Sequence, residues 1–427
     1  MSHKILLMTI GTHGDIAPFI ALADALRENG YEVSLATSAD YQETVRRHKL
    51  HFDPLSENLE HLMHSRLANI LRNKSAIHVL GYPRALKHLI QSIYGQLIAR
   101  AWQLMQQCDI VIFHPSLAFV PELAAAANIP SVMGSLQPTL PTSTLPFCLL
   151  GLRQLGIMNR LTYTLPNLLR EIVKRQARAF LQKNRLSPRK DAPKYGDLVL
   201  NAFSKTICPP PADWPDNAIT TGEWALHPNW TPSNELSQFL DDGPPPIYIT
   251  LGSMPWNAEK NGPLLMDAAK HWGGRIIIGI AYGGLGRNKQ SQNILSIGHT
   301  PHSVLLPRVG AIMHHGGAGT TAAGLRAGLP TLVTPVLLDQ FFWGHRVHAL
   351  GAGPSPRRLS TMNAATLAGL FDALVNTPSY RLAARDVATR MQSEDGLSAS
   401  VVAINGILSR RGGTPADAQE PYATLAI

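Results

Sequence analysis

Residues 311–327 read AIMHHGGAGTTAAGLRA. Ala311–His314 is an apolar run short enough to be a strand buried on both faces of a parallel sheet. Thr320–Ala327 has the composition of a helix. Their junction holds three glycines, a histidine pair and two threonines. A strand, a glycine turn and a helix form the repeating unit of a doubly wound sheet. Glycine lets the backbone approach a ligand closely. Free N–H groups and the dipole at a helix start favour an anion such as a phosphate. His315, Gly316, Gly317, Gly319 and Thr320 are therefore candidate anion-binding residues. A turn whose glycines serve packing alone explains the histidines and threonines less well. The lysine of a P-loop is missing. A metal site is disfavoured, because adjacent His314 and His315 point to opposite sides of a strand end.

The same alternation extends in both directions. Ile247–Leu251, Arg275–Ile280, Ile294–Ile297 and Thr331–Thr334 read as strands, and Leu264–Trp272 and Gln340–Leu350 as helices. Upstream, Asp241–Pro246 (DDGPPP) is a stiff, turn-rich connection. At the other end of the chain, Ile5–Ile10 reads as a buried strand and Gly11–Asp15 as a loop. Pro18–Glu28 reads as a helix with Pro18 in its first turn, and Tyr31–Ala36 as a second strand. Asp109–Phe113 and Ser131–Met133 continue that sheet. The pattern predicts an α/β protein with two Rossmann-like, doubly wound domains. The expected divisions are 1–205, a linker at 206–246, 247–410, and a disordered tail at 411–427.

Two further stretches could carry chemistry. Gly11-Thr12-His13-Gly14-Asp15 lies between a strand and a helix. It is not GxGxxG, and no acidic residue ends the second strand, so a nicotinamide cofactor is disfavoured. Asp15 reads equally well as a helix cap and as a general base facing a cleft, with His13 beside it. Asp339-Gln340 precedes a helix. A carboxylate next to an amide suits neighbouring sugar hydroxyls, and a cap is the competing role. Leu251-Gly252-Ser253-Met254 is not a nucleophile elbow.

Composition narrows the classes. The 427 residues are 45% hydrophobic and 16% charged, enough for sizeable cores. Three scattered cysteines form neither a disulfide framework nor a zinc motif. No apolar run is long enough to span a membrane, and the N-terminus does not read as a signal peptide, so the expected location is cytoplasmic. The net charge of +9 is concentrated in one segment: residues 151–194 hold 11 Lys/Arg against Glu171 and Asp191. Within it, Leu168–Lys183 reads as an amphipathic helix whose basic members are Arg170, Lys174, Arg175, Arg178 and Lys183. It could lie on an anionic membrane, with contact through 168–194, or dock on the protein with a solvated basic face. Nucleic acid is a weaker partner, since aromatics are few there and no binding motif accompanies the charge.

Taken together, GTHGDIAPFIALADAL, LGSM, and the long block from HTPHSVLLPRVGAIMHHGGAGTT to LLDQFFWGHRVHALGAG resemble the UDP-glycosyltransferase superfamily of GT-B fold. Within it they are most similar to sterol and lipid glucosyltransferases and glycopeptide-antibiotic glycosyltransferases. The resemblance implies two domains facing across a cleft, the first binding an acceptor and the second a nucleotide sugar. It implies that His315, the backbone of Gly316–Gly319 and Thr320 hold the diphosphate, with Ser253 nearby. Asp339 and Gln340 would contact the donor sugar. His302 and Ser303, in the stretch after Thr300-Pro301, would edge the base. Plant relatives stack the base on a tryptophan, and here the matching region reads Gly298-His299-Thr300-Pro301. Asp15, helped by His13, would be the base.

The implied reaction is an inverting, metal-independent transfer of a hexose, UDP-glucose favoured, to a hydroxyl of a sterol or lipid. The nucleotide sugar is a co-substrate and no other cofactor is expected. A soluble natural-product aglycone with a UDP- or dTDP-sugar, and a catalytically silent sugar-nucleotide binder, stay open. Leu136–Met158 is rich in Leu, Pro and Phe. Leu136, Leu145 and Phe147 from it could line an apolar acceptor pocket or be core.

Overall fold

The fold follows from the apolar runs. In a computed structural model that describes residues 2–56, 83–152, 154–189, 192–226, 228, 230–252, 258–280 and 292–412, these runs become parallel strands in two sheets. The first comprises β1 Lys4–Met8, β2 Glu32–Ser38, β3 His51–Ser56, β4 Ile110–Phe113, β5 Ser131–Ser135, β6 Leu198–Asn201 and β7 Ala218–Thr220, in the order β3-β2-β1-β4-β5-β6-β7. The second comprises β8 Ile247–Thr250, β9 Ile276–Gly279, β10 Ile294–Ile297, β11 Ala311–His314 and β12 Thr331–Val333, in the order β10-β9-β8-β11-β12. All pairings are parallel, and the central strands β4, β8 and β11 are buried along their whole length. Such strands need helices on both faces, which explains their unbroken hydrophobicity.

The helices of the first half are α1 His13–Glu28, α2 Gln42–Arg47, α3 Pro83–Met105, α4 Val120–Ala127 and α5 Thr164–Lys183. Those that follow are α6 Asn234–Asp241, α7 Ala258–Trp272, α8 His302–Leu305, α9 Ala318–Arg326, α10 Gln340–Ala349, α11 Ala364–Asn376, α12 Pro378–Met391 and α13 Gly396–Gly412. Helix α1 begins five residues before the expected Pro18, which lies inside it. Thr12 and Asp15 close the first turn early, and Pro18 costs only the bond to the Gly14 carbonyl.

The division of the chain also differs from the expected one. Residues 206–246 are not a free linker: β7 completes the first sheet, and Leu236 and Leu240 of α6 pack with Tyr248 and Ile277 of the second. The last helix does not stay with residues 247–395. Val401, Ile404 and Leu408 of α13 pack with Ile5, Phe19 and Leu22 in the first half's core. Of the 411–427 tail, Arg411 and Gly412 end that helix, and the rest lies outside the described residues.

This return crossing fastens the halves together. Trp224 packs edge-on against Phe19 and donates its indole N–H to Ser400 at 2.7 Å. Buried Glu394 accepts from the backbone N–H and hydroxyl of Thr206. Arg326 pairs with Glu223 and donates to the Met391 carbonyl.

Helix α5 is docked rather than free. Its buried face carries Val173, Lys174, Ala177 and Leu181. Lys174, expected on the solvated basic side, is buried, 3.5 Å from Glu122, and donates to the Lys194 carbonyl. Arg178 bonds Glu122 and Glu171, and Arg170 lies over the Tyr195 ring. The wheel pattern could not show that Glu122, 52 positions earlier, draws this lysine inward. Burial depresses the Lys174 pKa, and Glu122 opposes that. Glu122→Ala leaves the buried Lys174 ammonium without its carboxylate, so denaturant unfolding should show a loss of roughly 3–5 kcal/mol. Replacing Glu122 and Lys174 together by Leu and Met should recover most of it.

Candidate active site

In both sheets the strand order reverses at the middle, between β1 and β4 and between β8 and β11. Ligands of open parallel sheets bind beyond the carboxyl ends of strands at such reversals. The loops that emerge there carry His13 and Asp15 after β1, His114 after β4, Gly252 after β8 and His315 after β11. The two sets face each other: the His13 ring lies edge-on to His299, which follows β10, with centroids 6.2 Å apart. Partial desolvation, then His299, lowers the His13 pKa.

Asp15 sits in the first turn of α1. Its Oδ2 accepts from the Thr12 backbone N–H at 2.7 Å and the Thr12 hydroxyl at 3.1 Å. The carboxylate folds over Gly11, where φ is +149° and a Cβ would fall 2.2 Å from Oδ2. Oδ1 takes no part in the cap and faces Nε2 of His114 at 3.7 Å. Asp15 thus caps the helix through one oxygen and keeps the other, beside His114, outside the cap.

His114 was not singled out from the sequence. The Ser116 backbone N–H donates to its Nδ1 at 3.3 Å, and the Ser116 hydroxyl lies 2.7 Å from the same atom. That nitrogen is an acceptor, so the proton of the neutral ring sits on Nε2, facing Asp15. Burial lowers the His114 pKa and Asp15 partly opposes it, which keeps the ring neutral. Nε2 is buried and makes no hydrogen bond to the described protein. The signal in the sequence was a polar residue ending the run IVIFH, but only the β1–β4 pairing brings it to Asp15.

On the second sheet, the histidine pair divides its work. His314 is buried, and its Nδ1 accepts from the Gly316 N–H at 2.9 Å, which shapes the turn. His315 faces the opposite loop. Gly252, at φ +79°, lies so close that a Cβ would be 2.7 Å from the imidazole. Burial and then His302 push the His315 pKa down to about 4, so the ring is neutral at neutral pH. Gly317 caps α9, Gly319 is exposed in its first turn and Thr320 is half-buried beside it. Buried Gly316 lies against the Gln340 backbone, which joins the turn to the next loop. His302 rests edge-on against Tyr248 and is pushed down to about 4 by burial and His299, while Ser303 is exposed next to it. Ser253 lies outside the described residues.

Asp339 stands at the N-cap position of α10, where its side chain makes no capping bond and instead accepts the Trp343 indole N–H on Oδ2 at 3.0 Å. Burial raises its pKa to about 6, against the Trp343 bond, and the charge of Asp15 across the cleft adds to the rise. Gln340 is buried, and its Oε1 accepts the Val336 and Leu337 N–H groups. Its amide N–H₂ alone is left to meet a ligand, which removes the accepting role the sequence allowed. Among the expected acceptor residues, Leu136 is 4% exposed in the core that includes Phe19 and Trp224, so it is packing. Phe147 is half-buried against Tyr163, and Leu145 packs against the neighbouring core.

The chain matches two family models: the glycosyltransferase family 28 N-terminal domain over residues 5–112, and the erythromycin biosynthesis protein CIII-like C-terminal domain over 264–403. A sterol 3-beta-glucosyltransferase of Arabidopsis thaliana is 29% identical over 424 residues, 94% of this chain and 68% of that protein. One of Aspergillus fumigatus is 31% identical over 431 residues, 94% of this chain but 30% of that protein. The chain therefore spans about two thirds of the plant relatives and less than a third of the fungal ones. The glycosyltransferase SnogD from Streptomyces nogalater superposes with a TM-score of 0.65 at 20% identity, covering 95% of this chain and all of that one. The glycosyltransferase VinC in complex with dTDP gives 0.67 at 19%, over 95% of this chain and all of that one. With two parallel sheets and a domain model matched on each, the chain has the GT-B fold and is similar to glycosyltransferases in both halves.

Proposed function

We propose that the protein transfers a hexose from a nucleotide sugar, UDP-glucose favoured, to the hydroxyl of a sterol or other lipid, with inversion at the anomeric carbon. The observation that carries this is the placement of Asp15 on one sheet opposite His315 and Asp339 on the other. Asp15 Oδ1 takes the proton of the acceptor hydroxyl as that oxygen attacks the anomeric carbon. The His114 Nε2–H stands 3.7 Å from that oxygen, beyond hydrogen-bond distance, and would position it by closing that gap when substrate binds. The bond to the diphosphate breaks, and the leaving charge meets the His315 donor and the free N–H groups of Gly317–Thr320 at the start of α9. These fixed donors suit a reaction that needs no metal. Asp339 accepts from a sugar hydroxyl and the Gln340 amide donates to a sugar oxygen.

The sterol or lipid acceptor is favoured by the sterol glucosyltransferases among the relatives, which align over 94% of this chain. A soluble aglycone with a UDP- or dTDP-sugar is supported by the structural neighbours, whose likeness is one of fold. Peripheral membrane contact belongs to the same reading. No helix among the described residues is long and apolar enough to cross a membrane.

Asp15→Asn should lower kcat by about 10²–10⁴-fold and leave UDP binding by calorimetry unchanged. Wild-type turnover in that variant would remove Asp15 from the mechanism. His114→Phe should lower kcat about tenfold or more without changing the donor KM. Since the Asp339 carboxyl titrates near 6, it is ionised above that pH and neutral below it. Donor KM should therefore rise as the pH falls through about 6, and Asp339→Asn should remove that dependence. A KM that stays flat in the wild type would place Asp339 away from the sugar.

A further inference from the structure

Eight of the eleven large apolar side chains that stand exposed among the described residues lie between 150 and 169. They include Leu150, Leu155, Ile157, Met158, Leu161 and Leu168, with Ile157 94% and Leu161 64% exposed. The other three, Leu338, Leu382 and Val402, are scattered. Single exposed apolar residues are ordinary, but a contiguous group marks a contact surface.

The segment is pinned from behind, so these side chains are presented outward by a fixed frame. Asn159 is fully buried, accepts the Leu155 N–H and donates to the Ser143 carbonyl. The Thr162 hydroxyl donates to the Asn159 carbonyl and accepts the Phe147 N–H. The Tyr163 hydroxyl donates to the Leu145 carbonyl. Between these anchors the short 3₁₀ helix Gly156–Tyr163 turns Ile157, Met158 and Leu161 to solvent.

Charge identifies the occupant. Residues 151–194 carry +9, and the rest of the chain balances at 27 basic against 27 acidic residues. Leu168 and Arg175, seven positions apart, share the outer face of α5 opposite its buried stripe. The Arg160, Arg175 and Arg178 side chains are 64%, 71% and 48% exposed. Their acidic neighbours Asp213, Glu171 and Glu122 offset part of that charge, and the outer ends of the guanidinium groups stay exposed. An apolar strip flanked by cations fits an anionic bilayer, with the leucines among the acyl chains and the arginines at the headgroups. A second copy of the chain would bring like charge against like.

We infer that residues 150–169, with Arg160, Arg175 and Arg178, dock the protein on an anionic lipid surface. This extends the contact expected at 168–194 to the apolar segment before it. The platform adjoins the cleft: Gly151 packs on Phe341, in the first turn of α10, whose N-cap position is Asp339. An acceptor dissolved in the bilayer would leave it beside the donor sugar. That last step rests on the proposed lipid acceptor; the docking itself does not.

The test uses the full chain and vesicles containing no donor or acceptor. Sedimentation with phosphatidylcholine vesicles holding about 30% phosphatidylserine should capture the protein, and raising the salt should release it. The exposed double variant Ile157→Ser/Leu161→Ser should partition about tenfold more weakly, and Leu382→Ser should bind like the wild type. An unchanged thermal melt and UDP affinity show that the variant is folded. Equal binding by wild type and double variant, or no preference for anionic over neutral vesicles, would overturn the proposal. Self-association that the double variant abolishes, without vesicle binding, would overturn it in favour of a second copy.

Discussion

Two parallel sheets can share one active site only if their carboxyl edges are held facing each other. That constraint is met by a small set of contacts at the chain's return. Trp224 reaches Ser400, Glu394 caps Thr206, and Arg326 ties Glu223 to the end of α12. Helix α13 then crosses to lie with α1 in the first core. Because α1 also carries Asp15 in its first turn, the contacts that hold the halves together support the same helix that presents the cleft carboxylate.

Opposite that carboxylate, the polar groups of the second sheet have had most of their options removed by local bonds. Gln340 spends its oxygen on its own loop, His314 spends Nδ1 on the turn, and Asp339 gives Oδ2 to Trp343. What is left outside these local bonds is the Gln340 amide N–H₂, the His315 imidazole and one Asp339 carboxylate oxygen. Fixed groups of this kind need little reorganisation when charge develops on a leaving diphosphate.

The sheets were largely legible in the sequence, because a strand buried on both faces must be apolar throughout; Ile294–Ile297 and Ala311–His314 match residue for residue. The glycine turn was legible for a similar reason, since few other uses fit His315, three glycines and Thr320 at one junction. Local rules failed where a distant partner decided the outcome. Pro18 looked like a helix start until the Thr12–Asp15 cap was seen to begin the helix earlier. Lys174 looked solvated until Glu122 was found beneath it. His114 carried no motif, and becomes a site residue only because β4 pairs with β1. Leu136 fitted an apolar pocket as well as a core, and only packing separates the two.

The central claim is that one carboxylate from the first sheet deprotonates an acceptor aimed at a sugar held by the second, in a single displacement. The anomeric configuration of the product tests this most directly. With an α-linked UDP-hexose as donor, proton NMR of the isolated glycoside should show the β anomer alone. An α-configured product would require a second displacement or a different attacking geometry, and would contradict the assignment of Asp15 as the base.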